Sequence, residues 1–177
     1  MIKEIAKIFF VAIFIVTISA CERQSCKNVS CPTGQGCNNG KCYCPDGYEG
    51  TDCLTLANTK FVQPYYYDVT VNCFGSTPPF STSGYTAYMY ADSDPRLVHI
   101  QGLLGGVCSD IVAVIRTDPG TNLGNVLEIQ YQGSNNCGAT TVSGSGTWYP
   151  QSNSIVFNLD INAGGTYSCQ HTFYRRQ

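Results

Sequence analysis

Two histidines and a few carboxylates are the side chains from which catalysis would have to be built. His99 and His171 are the only histidines in the 177-residue chain. With Asp110 or Asp160 and a serine they would compose a hydrolytic triad, but no serine lies in a nucleophile-elbow motif. Zinc needs three or four protein ligands, and neither histidine has a partner at ligand spacing. We interpret both as ordinary strand residues and predict a non-enzymatic protein without a metal or cofactor.

The acidic residues give an equally weak catalytic signal. Asp92 and Asp94 flank a serine and precede Pro95, which is typical of a turn in which aspartate caps backbone donors. Glu128 and Asp160 fall in separate predicted strands. A glycosidase needs two carboxylates about 5 to 9.5 Å apart, and nothing local in the sequence brings these two together.

The cysteines are the next group of chemically reactive residues. The sequence contains eleven cysteines, and an odd number is unusual for an oxidised, exported protein, in which thiols pair. Without Cys21, six remain within residues 26–53 and four beyond them, so both sets are even. Disulfide bonds explain these ten residues better than metal ligation or nucleophilic chemistry does.

The first 25 residues are typical of an export signal. Residues 1–20 combine a lysine-bearing start with an apolar run over residues 8–18, which suits a signal peptide and is too short to span a bilayer. The sequence Ile18-Ser19-Ala20-Cys21 resembles the bacterial lipobox. This resemblance implies cleavage before Cys21 and acylation of that cysteine, with residues 21–25 as a lipidated tether.

These features predict a protein of the bacterial cell envelope that is attached to the lipid bilayer through acyl chains on Cys21. We predict the outer membrane, with its periplasmic and outer sides both open. Ordinary secretion, with cleavage after Ala20 and a free Cys21, is the alternative. The even number of the other ten cysteines favours lipidation.

Residues 26–53 are too few to bury a core, so cross-links must replace it. The motifs Cys42-Tyr43-Cys44, Gly47-Tyr48 and Gly50-Thr51-Asp52-Cys53 resemble those of the EGF-like family. Arithmetic alone leaves many pairings of six cysteines open. The resemblance implies an EGF-like domain with the disulfides Cys26–Cys37, Cys31–Cys42 and Cys44–Cys53.

Three further expectations concern this segment and its surroundings. Calcium-binding EGF-like domains carry an acidic pattern before the first cysteine, which Glu22-Arg23-Gln24-Ser25 does not provide, so we expect no calcium. Asn38-Asn39-Gly40 predicts a hairpin turn. Residues 54–60 form a connector that is too short for independent motion, so we expect the two domains to touch.

From residue 61 to residue 177 the hydrophobic pattern has a period of two, which predicts an antiparallel β domain. Clusters of the turn-forming residues Gly, Pro, Asn and Asp divide this region into eight predicted strands. Their predicted ranges are Tyr65–Cys73, Gly84–Ala91, Arg96–Leu103, Asp110–Thr117, Asn125–Gln132, Thr140–Tyr149, Asn153–Ile161 and Gly165–Tyr174. Eight strands with short links predict a meander that closes as a barrel or stacks as a sandwich.

The four cysteines of the β domain sharpen this prediction. In a meander, alternate links lie at one end, so the links near residues 75–83, 104–109, 133–138 and 162–165 share a rim. Cys108 and Cys137 fall in two of them. If the sheet closes, the first and last strands are neighbours. We therefore predict Cys73–Cys169 across the seam and Cys108–Cys137 across the rim, from three arithmetic possibilities.

The strand with Gly144-Ser145-Gly146-Thr147, followed by Ser154 to Asn158, resembles lipocalin-like (calycin-like) barrels. It is also similar to the β domains that follow EGF-like modules in small bacterial lipoproteins. The resemblance implies a closed barrel, and lipocalin-sized barrels can hold one small ligand.

Tyrosines crowd the first predicted hairpin and are the strongest sign of a binding surface. Because neighbours alternate sides, Tyr66, Tyr88 and Tyr90 share one face of the sheet, while Tyr65 and Tyr67 face the other. Tyrosine combines a flat apolar body with a polar tip, which suits both core packing and partner contact. We name Tyr66, Tyr88, Tyr90 and Trp148 as candidate binding residues, with core or sheet packing as the alternative.

Charge excludes one class of partner. The formal net charge is −2, and Arg175-Arg176 is the only adjacent basic pair, so no phosphate-neutralising surface for nucleic acid is present. The sequence therefore predicts a non-enzymatic envelope module that presents its β domain to a protein or carbohydrate partner. The alternative is a carrier that holds a small apolar ligand inside a lipocalin-like barrel.

Overall fold

A computed structural model describes residues 26–62, 66–75, 77–80, 82–118 and 120–176. The expected signal peptide over 1–20 and the tether with Cys21 lie outside the described residues. The described chain is mainly β, as predicted. Within it, no helix has the length and apolar character needed to cross a bilayer.

Two small ribbons form the N-terminal segment, residues 26–56. The first pairs β1 (Gly36–Asn38) with β2 (Lys41–Tyr43), and the second pairs β3 (Tyr48–Glu49) with β4 (Thr55–Leu56). Asn39 and Gly40 connect β1 and β2 with φ of 49° and 76°. Positive φ at both positions is the condition for a type I′ hairpin turn. The hairpin predicted at this place is confirmed.

Eight longer strands form a closed antiparallel barrel. Every consecutive pair is hydrogen-bonded, and the last strand pairs with the first. The predicted barrel is therefore confirmed over the alternative sandwich. Its strands are β5 (Tyr67–Phe74), β6 (Tyr85–Ala91), β7 (Leu97–Gln101), β8 (Ile111–Asp118), β9 (Leu123–Gln132), β10 (Thr141–Tyr149), β11 (Ser154–Asn162) and β12 (Thr166–Arg175).

Five disulfides cross-link the described chain, and their pairs are the same as those expected from the sequence. Three lie in the N-terminal segment, and two lie in the barrel. Cys73 and Cys169 stand opposite each other across the β5–β12 seam, with 4.0 Å between their Cα atoms. Cys108–Cys137 joins the link before β8 to a one-turn helix, α1 (Ser134–Cys137). Covalent bonds thus close both the seam and one rim.

Apolar side chains fill the barrel interior. On β11, Ile155, Phe157, Leu159 and Ile161 are all buried, as their alternation predicted. Phe173 lies edge-on to two interior rings, with its centroid 5.2 Å from that of Phe157 and 6.0 Å from that of Tyr67. Each fully buried aromatic side chain contributes about 1.5 to 3 kcal/mol through the water it excludes. The interior is therefore a packed core.

One rim of the barrel, which we call the proximal rim, includes the links near residues 92–96, 120–122 and 150–153. A 3₁₀ turn, Ala57–Phe61, covers it. Phe61 is fully buried, and its carbonyl accepts a hydrogen bond from the Tyr67 hydroxyl at 2.8 Å. The Asn58 side-chain amide donates to the Asp92 carbonyl at 3.0 Å. The segment expected to be a connector therefore closes the barrel end.

The N-terminal segment docks on the same rim through paired polar groups. Asp46 accepts the Thr117 backbone N–H at 2.9 Å and an Arg116 guanidinium hydrogen bond at 3.0 Å. Asn122 accepts the Cys44 N–H at 3.1 Å and donates to the Cys42 carbonyl at 3.3 Å. The expected contact between the two parts of the chain is present. The opposite end, with the links near 75–84, 102–110, 133–140 and 163–165, is the distal rim.

Candidate functional site

Three of the four candidate binding residues meet on the outer wall of the barrel. The Tyr66 and Tyr88 rings are edge-on with centroids 6.0 Å apart, and Tyr88 and Tyr90 are near-parallel at 6.2 Å. Tyr66 is 56% exposed, while Tyr88 and Tyr90 are half-buried. Strand alternation explains this arrangement, since Ala87 and Met89 take the inward positions of β6.

His99 extends this row of rings. It stands directly opposite Tyr90 in the β6–β7 register, and the two rings stack at 4.5 Å with 11° between their planes. We call Tyr66, Tyr88, Tyr90 and His99 the tyrosine ladder. It runs from the residue before β5 across β6 to β7 and presents ring faces and phenol groups on one side of the barrel. Rigid aromatic rings give large contact area at low cost in conformational entropy.

Two carboxylates hold the histidine end of the ladder. His99 Nδ1 lies 2.9 Å from Asp110 Oδ2, and Nε2 lies 2.8 Å from Asp92 Oδ2. The Tyr90 hydroxyl also donates to Asp110 Oδ2, at 3.2 Å. Only the protonated imidazole donates from both nitrogens at once. The geometry thus favours an imidazolium bracketed by two anions.

The local pKa values follow from these contacts. Burial lowers the pKa of His99, but its hydrogen bonds to Asp92 and Asp110 and their charges together outweigh burial, so the pKa lies above its ordinary value. The backbone N–H of Asp94, and then His99 and Ser93, lower the pKa of Asp92 to about 2. Burial, followed by the Asp110 charge, raises the pKa of Tyr90.

This arrangement suits binding better than proton transfer. Both nitrogens of His99 are engaged by carboxylates, so neither is placed to accept a proton from a nucleophile. The rings, phenols and carboxylates together offer flat apolar surface beside hydrogen-bonding groups. Such a combination contacts either protein side chains or the C–H faces and hydroxyls of sugars.

His171 is in a different environment inside the barrel. Its side chain is fully buried, and Nδ1 lies 2.9 Å from the Tyr85 hydroxyl. Nε2 has no hydrogen-bond partner among the described residues. Burial lowers the pKa of His171 to about 4 and also raises that of Tyr85. No solvent-borne substrate reaches this ring, and it belongs to the core.

Trp148 does not join the tyrosine ladder, which corrects its choice as a binding residue. It is 8% exposed and lies inside the barrel end, with its ring 6.3 Å from that of Phe61 in an edge-on contact. The Arg175 guanidinium lies over the Trp148 ring, 4.5 Å from its centroid. Tryptophan has the largest apolar side chain, and here the inward phase of β10 buries it.

The acidic pairs serve turns and ion pairs. Asp92 Oδ1 accepts the Asp94 N–H at 2.8 Å, which is the capping turn expected there. Glu128 pairs with Arg116 at 2.8 Å, and Asp160 accepts a hydrogen bond from the Ser168 hydroxyl. Across the described ranges, no group of three or more His, Cys, Asp or Glu side chains is arranged to hold a metal ion.

Sequence reasoning missed the place of His99 in the ladder. The sequence of the β6–β7 hairpin contains the pattern that predicts this place. Tyr88 and Tyr90 share one phase of β6, and Asp92 continues this alternation directly after the strand. The short 92–96 link brings Tyr90 opposite His99 in β7. A comparison of the chain with protein-family models, with curated proteins and with solved structures finds no match.

Proposed function

We propose that this protein is a non-enzymatic binding module of the bacterial cell envelope, anchored by acyl chains on Cys21. It presents the tyrosine ladder of its barrel to a protein or glycan partner. The observation that carries this proposal is the ladder itself, in which Tyr66 remains 56% exposed beside two more tyrosines and a stacked histidine. Tyrosine is enriched at interfaces because it combines apolar area with a hydroxyl.

The core does not need the ladder, which supports a role in binding. Ala87 and Met89, both fully or almost fully buried, supply the inward side chains of the same strand. The ladder rings add little to the burial of the interior. Exposed aromatic surface lowers solubility, so a run of such rings on an outer wall is typical of an interaction site.

The N-terminal segment fits the role of an EGF-like spacer in this proposal. Its three disulfides link first to third, second to fourth and fifth to sixth cysteine, as in that family. Its docking through Asp46 and Asn122 would hold the barrel at a fixed angle to the anchor. A fixed angle lowers the entropy that binding must remove.

The packed interior supports the binding module over the alternative of a carrier. Phe157, Phe173 and Tyr67 are fully buried, and Phe173 contacts both other rings where a lipocalin-like ligand would sit. Native mass spectrometry of the oxidised protein would show a bound small molecule if the carrier were correct. We expect the mass of the protein alone.

Site-specific photo-cross-linking tests the proposal. Benzoylphenylalanine replaces Tyr66 in the full acylated chain, and in a control it replaces Tyr149, which is 46% exposed on β10, three strands away from β5 and from β7. We expect a discrete adduct from position 66 that Tyr88→Ala abolishes, and none from position 149. Equal adducts from both positions would contradict the proposal. Mass spectrometry of the mature N-terminus tests the anchor, and an unmodified Cys21 would refute it.

A further inference from the structure

A concave surface lies on the distal rim, away from the tyrosine ladder. It is an open groove with a volume of about 460 Å³, lined by Tyr131, Gln132, Asn135, Asn136, Thr141 and three small residues. Ligand pockets usually fall between about 300 and 1,000 Å³. We call this surface the asparagine groove. None of its lining residues carries a charge.

Tyr131 is directed outward by an irregularity in the sheet. The β9–β10 register shifts between the pairs Val142–Gln132 and Gly144–Ile129, so β9 has one extra residue there. Ile129 is buried, and strict alternation would also send Tyr131 inward. The β-bulge reverses this phase, and Tyr131 is 74% exposed. Bulges commonly re-aim a side chain beside a functional site.

The fold holds the walls of the groove in place. The Cys108–Cys137 disulfide ties down α1, and the Ser109 N–H donates to the Asn136 carbonyl at 2.8 Å. Gln132 forms a two-point contact with the Val112 backbone, where its Oε1 accepts the N–H at 3.0 Å and its amide donates to the carbonyl. A pre-formed site loses less entropy on binding.

The side-chain amides of Asn135 and Asn136 remain available. Neither donates to nor accepts from another side chain or backbone group in the part of the chain that the structure describes. A carboxamide offers two donors and an acceptor without charge. The groove thus combines an exposed aromatic ring with neutral hydrogen-bonding groups. It lacks both the cations that would attract an anion and the carboxylates that would attract an amine.

We infer that the asparagine groove binds a neutral sugar unit of a glycan. The apolar C–H face of a pyranose would pack on the Tyr131 ring, while the amides of Asn135 and Asn136 would exchange hydrogen bonds with neighbouring hydroxyls. The site is independent of the tyrosine ladder. If the proposed acyl anchor is correct, the groove also faces away from the membrane, because the N-terminal segment docks on the proximal rim.

Calorimetric titration and saturation-transfer NMR of the purified full chain test this inference. The neutral probes are maltotetraose, cellotetraose and mannotetraose, and the anionic controls are sialyllactose and a heparin tetrasaccharide. We expect at least one neutral probe to bind more tightly than either anion. Tyr131→Ala should weaken that binding by at least about fivefold, because an exposed aromatic contact residue is lost. Asn135→Ala should weaken it by a smaller factor.

Matched variants separate this site from the ladder. Tyr174→Ala, at another exposed tyrosine, and the double variant Tyr66→Ala/Tyr88→Ala should leave sugar affinity within about twofold, since surface changes remote from a site are near neutral. The inference is overturned if no neutral probe binds at millimolar concentration, if the anions bind better, or if Tyr131→Ala binds like wild type. Loss of sugar binding in the ladder variant would also overturn it.

Discussion

The N-terminal segment and the barrel solve the problem of stability in opposite ways. Within residues 26–53 the buried apolar side chains are Cys44 and Cys53, which belong to one disulfide. The barrel instead buries aliphatic and aromatic side chains from all eight of its strands. Covalent bonds therefore hold the first, and water exclusion holds the second. A small domain cannot exclude enough water, whereas a closed sheet encloses its whole inner face.

The two disulfides of the barrel differ from those of the N-terminal segment in what they add. Cys108 and Cys137 are buried among the apolar side chains of the barrel core. Cys73–Cys169 joins β5 and β12, which are already paired by backbone hydrogen bonds. They reinforce a structure that other forces create. The three bridges of the N-terminal segment create the structure themselves.

Mild reduction should unfold the N-terminal segment and leave the barrel intact. Removing a native disulfide from a small domain costs about 2 to 5 kcal/mol, and this segment has no core to compensate. Hydrogen–deuterium exchange after reduction and alkylation should show lost protection over 26–53 and retained protection over β8 and β9. Simultaneous loss in both regions would mean that the segment and the barrel form one cooperative unit.

Phe157→Ala should destabilise the barrel by about 3 to 5 kcal/mol, because it leaves a cavity beside Phe173 in a fully buried position. Urea denaturation, followed by tryptophan fluorescence, measures the loss. Tyr43→Ala, in the N-terminal segment, is the comparison and should leave the barrel transition in place. A cost below about 1 kcal/mol for Phe157→Ala would show that the interior relaxes and that its packing is not decisive.

The two histidines should give the barrel opposite pH dependences in separate ranges. The folded pKa of His171 is about 4, below the ordinary 6.5, so the unfolded chain binds more protons between these values. Stability should therefore rise by roughly 3 kcal/mol at most from pH 4 to 6.5. His99 has a raised pKa, so its contribution is complete below pH 6.5 and is lost as the pH rises through the folded pKa.

Denaturation curves across pH would separate the two residues. His171→Gln keeps a polar partner for Tyr85 without a titrating ring, and it should flatten the rise below pH 6.5. His99→Gln should flatten only the decline above pH 6.5. If the stability of His171→Gln rose with pH below pH 6.5 as steeply as that of the wild type, His171 would not be buried as a neutral ring.

The smallest effect concerns the junction between the two regions. The Asn58 amide lies within 3.3 Å of the carbonyls of Asp92, Asp94 and Leu97 on the proximal rim. Asn58→Ala leaves these partly buried carbonyls without the donor, which costs about 1 to 3 kcal/mol. Calorimetry of the thermal transition measures it. The matched control is Thr59→Ala at an exposed neighbour, and an equal effect of both variants would contradict this role for Asn58.

Much of the fold could be predicted from the sequence because its signals are local. The period-two pattern placed each barrel strand within about two residues, as in β11, where four alternate apolar residues all face inward. The meander rule then indicated which links share a rim, and from this Cys73–Cys169 and Cys108–Cys137 followed. The candidate site was less accessible. The alternation of side chains along a strand predicted that Tyr66, Tyr88 and Tyr90 share one face. No local pattern predicted that His99 lies between two carboxylates.

Other features depended on the tertiary structure. The bulge that turns Tyr131 outward is a mismatch between β9 and β10, and neither strand shows it alone. Trp148 was predicted to be a binding residue, but in the folded barrel Phe61 and Arg175 pack against its ring. The sequence determined the strands, the cysteine pairs and the shared face of the tyrosines, because these depend on spacing along the chain. Closure, rim coverage and the environment of each histidine depend on distances between strands, which only the folded barrel decides.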